Sequence, residues 1–311
     1  MATRQRVEAA ISELNYATPR RRDSGSRKSV AFLADIITTP YAMEVLRGAI
    51  LAAEELDVDL VVERTHPEGT DEEMSGARLN QRLLAAGRTG AVALTAGVTQ
   101  EAYAKVVGTR LPLVVIDPLD TSDPDVTSIG STNWMGGRSA AEHLISLGHT
   151  RIGVLSGPSK SLSAMARLNG AISCWEQSGL DPSDALVKYV AFDTEPARLA
   201  ASEWLTDPTS RITAIMAGSD AQALGVLQAA REAGLHVPRD LSVVGYDDTK
   251  LATWSTPPLT AVRQPLEEMG RRAVEMVLRM ATWGEPASNH MEIATSLVIR
   301  QSTGPAPKLE T

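Results

Sequence analysis

The sequence predicts an α/β fold built as two doubly wound parallel-sheet lobes. Three observations carry this expectation. Short apolar runs alternate with amphipathic segments of helical period from Val30 onward, the pattern of parallel strands covered by helices on both faces. About eight such strand–helix units recur, more than one compact sheet of ordinary size holds. A chain of 311 residues is also long enough for two domains with separate cores.

Taken in order, the first element is a short helix from Thr3 to Leu14. Thr3 can cap it, and Val7, Ala10, Ile11 and Leu14 recur on one face. Pro19, the basic run Arg20, Arg21 and Arg22, and Ser24-Gly25-Ser26 then read as a linker. The predicted strands are VAFL from Val30, VDLVV from Val58, GAVALT from Gly90 and LPLVVID from Leu111. They continue as RIGVLSG from Arg151, ALVKYVAF from Ala185, ITAIMAG from Ile212 and LSVVGYDD from Leu241. Helical stretches lie between and after them, beginning near Met43, Gly136, Ala166, Ala221 and Leu266.

Composition narrows the function classes. No apolar run reaches the length of a membrane span, and the N-terminal residues have no secretory pattern, so a cytoplasmic protein is expected. The lone Cys174 excludes a disulfide framework and a cysteine zinc site. The net charge of −8 divides unevenly: residues 1–28 carry +4 and the remainder −12. The basic arm suits phosphate contacts or simply a solvated tail, whereas the acidic body argues against nucleic-acid binding over the whole surface.

In open parallel sheets, ligands bind beyond the carboxyl ends of the strands. The residues there include Tyr41, Thr95, Asp117, Asn133, Arg167, Phe192, Ser219, Asp220, Asp247 and Asp248. Carboxylates, an arginine fork and an aromatic face are the inventory for holding a polyhydroxylated small molecule. Each has a plainer alternative. Asp220 and Asn133 can be N-caps, Arg167 a solvated helix residue, and Trp134 and Trp254 core. Asp247-Asp248 lacks partners at metal-ligand spacing, and no cofactor is implied. The five histidines are scattered and there is no GxSxG elbow, so an enzyme reading is weak. Gly157-Pro158-Ser159-Lys160-Ser161 superficially resembles a P-loop but lacks the glycine before the lysine. His149, just after a helix end, suits a structural role bonding terminal carbonyls.

Read together, several strings resemble the LacI family of bacterial transcription regulators. They are IGSTNWMGGRSAAEHLISLGHTRIGVLSGP (Ile129 to Pro158), ARLNG (Ala166 to Gly170), MAGSDAQALGVLQAAREAGLHVPRDLSVVGYDD (Met216 to Asp248), TPPLTAVRQP (Thr256 to Pro265) and SLVIRQSTGP (Ser296 to Pro305). The resemblance implies a cytoplasmic, homodimeric repressor or activator that binds a palindromic operator. It also implies an effector core like a type I periplasmic sugar-binding protein, with three crossings between lobes. The expected divisions are a headpiece remnant and linker over 1–28, a first lobe over 29–157 plus 264–287, a second over 158–263 plus 288–305, and a tail over 306–311.

The resemblance also carries roles residue by residue. Asp117, Arg167 and Asp247 match polar effector contacts, and Tyr41 an aromatic that stacks on an effector ring. Asn133 stands at the position ahead of the GG helix, and Ser219 where an Asn usually precedes the acid matched by Asp220. Thr95 is a lining candidate. Phe192-Asp193 reverses the usual order, which leaves Trp134 or Trp254 as alternative aromatic covers. At the front, Thr3 to Leu14 resembles only the third helix of a helix-turn-helix headpiece. The recognition helix and the hinge-helix pattern are not found, so weak, salt-sensitive DNA-backbone contacts from Arg20, Arg21 and Arg22 are expected. The implied effector is a sugar or polyol, with a nucleoside as the other class. A stand-alone small-molecule-binding protein is the alternative function.

Overall fold

The computed structural model describes residues 27–34, 36–64, 76–94, 111–118, 126–181, 186–207, 209–284 and 288–307. The expected N-terminal helix, Arg20, Arg21, Arg22 and Thr95 lie outside the described residues.

The first sheet contains β1 (Ser29–Leu33), β2 (Asp59–Glu63), β3 (Gly90–Leu94), β4 (Leu113–Ile116), β5 (Ser128–Ser131) and β11 (His290–Ile293). Their order is β2-β1-β3-β4-β5-β11, all parallel. The second contains β6 (Ile152–Ser156), β7 (Leu186–Tyr189), β8 (Ala214–Ala217), β9 (Ser242–Asp247), β10 (Thr260–Arg263) and β12 (Ser296–Val298). It repeats the order as β7-β6-β8-β9-β10-β12, with only β12 antiparallel.

Alternation in β1 shows why the sheets are sandwiched. Val30, Phe32 and Ala34 face one core with α1 (Pro40–Glu55) and α8 (Leu266–Trp283). Ala31 and Leu33 face the other with α2 (Gly76–Ala85). In the second lobe, α3 (Asn133–Ser146) and α4 (Leu162–Gln177) cover one face. The opposite face is covered by α5 (Thr194–Thr206), α6 (Asp220–Glu232) and the short α7 (Lys250–Trp254). Neither α2 nor α5 is among the predicted helical stretches, although Leu79 and Leu83 of α2 recur at helical spacing and are buried.

The paired helices pack backbone to backbone. A Cβ on Gly137 of α3 would lie 1.9 Å from the Arg167 carbonyl oxygen, and one on Gly170 of α4 would lie 1.9 Å from that of Trp134. No side chain fits at either crossing point.

The expected lobe boundaries need correction. The chain leaves the first lobe after β5, not near residue 157, because Ala140, Ala141 and Leu144 of α3 pack with Ile152, Leu168 and Trp175 of the second core. Residues 288–305 do not all join the second lobe. β11 pairs with β5 in the first sheet, where Met291 and Ile293 pack on the core, and only β12 joins the second. The three crossings converge. Thr295 N donates to Thr132 Oγ1 at 2.9 Å, and Ser131 Oγ donates to Gln264 Oε1 at 2.5 Å.

Candidate functional site

The facing carboxyl ends of the two sheets enclose a cavity of about 470 Å³. That size falls within the usual range of small-molecule sites. Tyr41 and Asp117 line it from the first lobe, and Arg167, Phe192, Ser219, Asp220 and Asp247 from the second. Topology alone brings them together: Asp117 follows β4, Phe192 follows β7, Ser219 follows β8, and Asp247 ends β9.

Local backbone geometry aims the acids. Asp117 and Asp247 have φ of 49° and 102°, in the left-handed region that non-glycine residues rarely occupy. Asp248, at φ 57°, turns away from Asp247 and pairs with Arg263 at 2.7 Å and Arg300 at 2.6 Å. The doublet therefore divides its work, one carboxylate to the cavity and one to the scaffold.

Arg167 is held firmly for a long side chain. Its Nε donates to Asn133 Oδ1 at 2.8 Å and its Nη1 to the Gly218 carbonyl at 2.6 Å. The guanidinium carbon lies 3.8 Å from the centroid of the Tyr246 ring and 5.8 Å from that of Phe192, distances at which a cation is attracted to a ring face. Two bonds leave donors over for a ligand. Asn133 is no N-cap, being the first helical residue. Nor is it among the lining residues. It stands behind Arg167, its Nδ2 donating to the Ser131 carbonyl at 3.1 Å.

Asp117 and Asp247 are buried. Burial raises the Asp117 pKa, against a hydrogen bond from the Tyr41 hydroxyl and the charge of Arg167. Burial likewise raises Asp247 to about 6, opposed by Arg167 and by a 2.6 Å bond from Gln264 Nε2, and reinforced by Asp117. The Tyr41 phenol is pushed up by burial and by Asp117. Its hydroxyl is committed to Asp117, so Tyr41 does more than offer a ring to stack on.

Asp220 and Ser219 do not act as their sequence positions suggest. Ser219, not Asp220, caps α6, accepting from Gln222 N at 3.1 Å. Asp220 Oδ2 accepts from Thr249 N at 2.7 Å and Thr249 Oγ1 at 2.9 Å, while Oδ1 is buried without a hydrogen-bond partner among the described residues. Burial and the neighbouring Asp247 push its pKa well up. Its Oδ2 ties the start of α6 to the segment after β9, and the residue also lines the cavity.

Of Phe192, Trp134 and Trp254, Phe192 is the one on the cavity wall. It lines the cavity over Gly157, where an added Cβ would meet the ring at 2.1 Å, and Asp193 turns outward to cap α5. Trp134 and Trp254 are not in the lining and are 39% and 73% exposed, so neither is core.

Sequence reasoning missed two buried amides. Gln222 Nε2 donates to the carbonyls of Ser156 at 3.2 Å and Ala191 at 3.0 Å, and its Oε1 accepts from Gly218 N at 2.8 Å, pinning the ends of β6, β7 and β8. Gln264 joins Ser131 to Asp247. A glutamine carries no periodicity signal, so neither stood out. His149 is buried and structural, but its partners are Thr213 Oγ1 at 2.8 Å, Ser242 Oγ at 3.0 Å and the Gly304 carbonyl at 3.0 Å rather than helix-end carbonyls. Among the described residues, no group of three or more His, Cys, Asp or Glu side chains is arranged to hold a metal, and no helix is long and apolar enough to cross a membrane.

Two like-wound sheets around an interlobe cavity, lined by carboxylates and an arginine, define a two-lobed small-molecule-binding fold. Residues 141–303 match the family model of the periplasmic binding protein-like domain. The chain is 32% identical over 302 residues to the ribose operon repressor of Escherichia coli K12, covering 96% of this chain and 89% of the repressor. Among solved structures it is similar to the transcriptional regulator CelR–cellobiose complex, with 28% identity, TM-score 0.77, and coverage of 97% of this chain and 90% of that one. It is also similar to the Lac repressor dimer bound to operator and the anti-inducer ONPF, with 27% identity, TM-score 0.81, and coverage of 97% and 90%. The chain belongs to the LacI family of transcriptional regulators.

Proposed function

We propose that this chain is a cytoplasmic, homodimeric regulator without catalytic activity, whose interlobe cavity binds a sugar-like effector and so modulates operator binding. The observation that carries the effector reading is the convergence of Asp117, Arg167 and Asp247 in one cavity. Carboxylates accept from vicinal hydroxyls, the guanidinium donates to ring and hydroxyl oxygens, and Phe192 offers an apolar face. The relatives support it: one is named for ribose regulation, and another solved structure holds cellobiose.

Two lobes joined by three crossings can change their relative angle when a ligand bridges them. That angle sets the spacing of two DNA-contacting arms in a dimer on a two-fold operator. By linkage, effector and operator must each alter the other's affinity by the same factor. Arg20, Arg21 and Arg22 would add salt-sensitive phosphate contacts.

The test is a thermal-shift screen of sugars and nucleosides, followed by calorimetry on Asp247→Ala and Arg167→Ala. A ligand of the native state raises the melting temperature. Both variants should lose measurable binding while remaining folded dimers. Unchanged affinity in both sinks the site, and a response to nucleosides alone moves the effector class.

A further inference from the structure

The two acids that face each other across the cavity are engaged differently. Asp247 Oδ1 accepts from Gln264 Nε2, a group behind the cavity that joins the two lobes. Asp117 is engaged from the cavity side. Its one side-chain hydrogen bond among the described residues comes from the Tyr41 hydroxyl, which donates to Oδ2. Its Oδ1 faces β5, where a Cβ on Gly130 would lie 3.4 Å away. Arg167, whose charge also acts on Asp117, spends Nε on Asn133 and Nη1 on the Gly218 carbonyl.

Tyr41 is built into the wall. Thr39 caps α1 by accepting from Ala42 N at 3.2 Å, and Pro40 opens the helix, so Tyr41 stands in its first turn. The ring packs against the first-lobe core, and the hydroxyl crosses to the end of β4. Both Tyr41 and Asp117 line the cavity. An O–H donated to a carboxylate oxygen is the bond that a sugar hydroxyl would make there. The chain thus supplies one donor that a ligand would otherwise bring.

We propose that Tyr41 determines effector specificity: its hydroxyl occupies the place of one ligand hydroxyl at Asp117, so the cavity prefers a sugar without a donor at that position. This rests on the polyol reading above and narrows it. A sugar that carries a hydroxyl there must displace the phenol or leave its own donor unpaired in a buried site, and either loses affinity. Without the phenol hydroxyl, Asp117 Oδ2 is left open, and the extra ligand hydroxyl becomes an advantage.

The experiment is calorimetry on the full chain with three sugar pairs that differ by one hydroxymethyl group: D-xylose and D-glucose, L-arabinose and D-galactose, D-ribose and D-allose. In at least one pair the unaltered chain should bind the smaller sugar more tightly. In that pair Tyr41→Phe, which keeps the ring, should shift the affinity ratio toward the larger sugar at least tenfold, the scale of one hydrogen bond to a charged group. Adding Asp117→Ala to Tyr41→Phe should cancel the shift, because the extra hydroxyl then has no carboxylate to meet. Ratios unchanged by Tyr41→Phe in all three pairs overturn the proposal and leave the polyol site standing. So does a shift that survives Asp117→Ala, which would trace it to added space alone. Binding by none of the six sugars overturns the polyol reading, and this inference with it.

Discussion

Asp247 shows how one residue trades stability for recognition. Its pKa is raised from the ordinary carboxylate range to about 6, so the folded chain holds the proton more tightly than the unfolded chain does. Stability from this group is therefore present at low pH and lost as pH rises from about 4 to about 6. Asp247→Asn should make the ligand-free protein more stable at pH 7.5, by roughly 1–3 kcal/mol, while abolishing effector binding. Urea melts and calorimetry on one preparation check both halves. If effector hydroxyls donate to the carboxylate, binding requires the ionised form. Affinity should then fall about tenfold between pH 7 and pH 5. A flat profile would remove Asp247 from the contact.

The strand-end acids and Arg167 were legible in the sequence because position after a strand is itself a signal. The finer roles were not. Asn133, Ser219 and Asp220 all precede or begin helices, and spacing does not separate residues that line the cavity, as Ser219 and Asp220 do, from one that stands behind it, as Asn133 does. Asn133 orients Arg167, and Asp220 anchors Thr249.

At the scale of elements, helix pairs and the C-terminal segment set the precision of the site. The α3–α4 crossing is close enough that Gly137 touches the backbone of Arg167 itself. Gly137→Ala must therefore push α4 away and carry the guanidinium with it. It should destabilise by ~1–3 kcal/mol, the usual cost of overpacking, and should weaken effector binding as well. A variant with normal affinity would show that the crossing does not position Arg167. The segment after β12 is pinned through His149, whose pKa is lowered chiefly by burial. Here the folded state binds the proton less readily than the unfolded, so stability present above about 6.5 is lost progressively as pH falls below it toward the lowered folded-state pKa. Removing this histidine by His149→Gln should flatten the stability profile between pH 7.5 and 5.5. Eight of the strands were readable as apolar runs, but β5, β10, β11 and β12 were not. In β11 exposed His290 and Glu292 alternate with half-buried Met291 and Ile293 on a sheet edge.

At the scale of the whole molecule, the lobes are joined by more than covalent chain. Gln264 bonds Ser131 of the first sheet with one end of its amide and Asp247 of the cavity with the other. Ser131, Gln264 and Asp247 are all buried. Gln264→Leu strands two buried polar groups, each worth about 1–3 kcal/mol. The variant should melt earlier. It should also lose part of the mutual effect of effector and operator, measured as the ratio of operator affinities with and without ligand. A normal ratio would show that lobe angle is set elsewhere.

The interleaving of the lobes has a consequence for biosynthesis. β11 and α8 complete the first lobe, but they are encoded after nearly all of the second. β12, encoded later still, completes the second. Neither half is a contiguous stretch of message, so neither can finish folding while the ribosome still holds the last few dozen residues. A chain that stops early leaves both sheets short of an edge strand, whereas domains ordinarily fold one after another as they emerge. A chain stopped before β11 would therefore lack a strand in each of the two sheets at once, rather than one whole lobe.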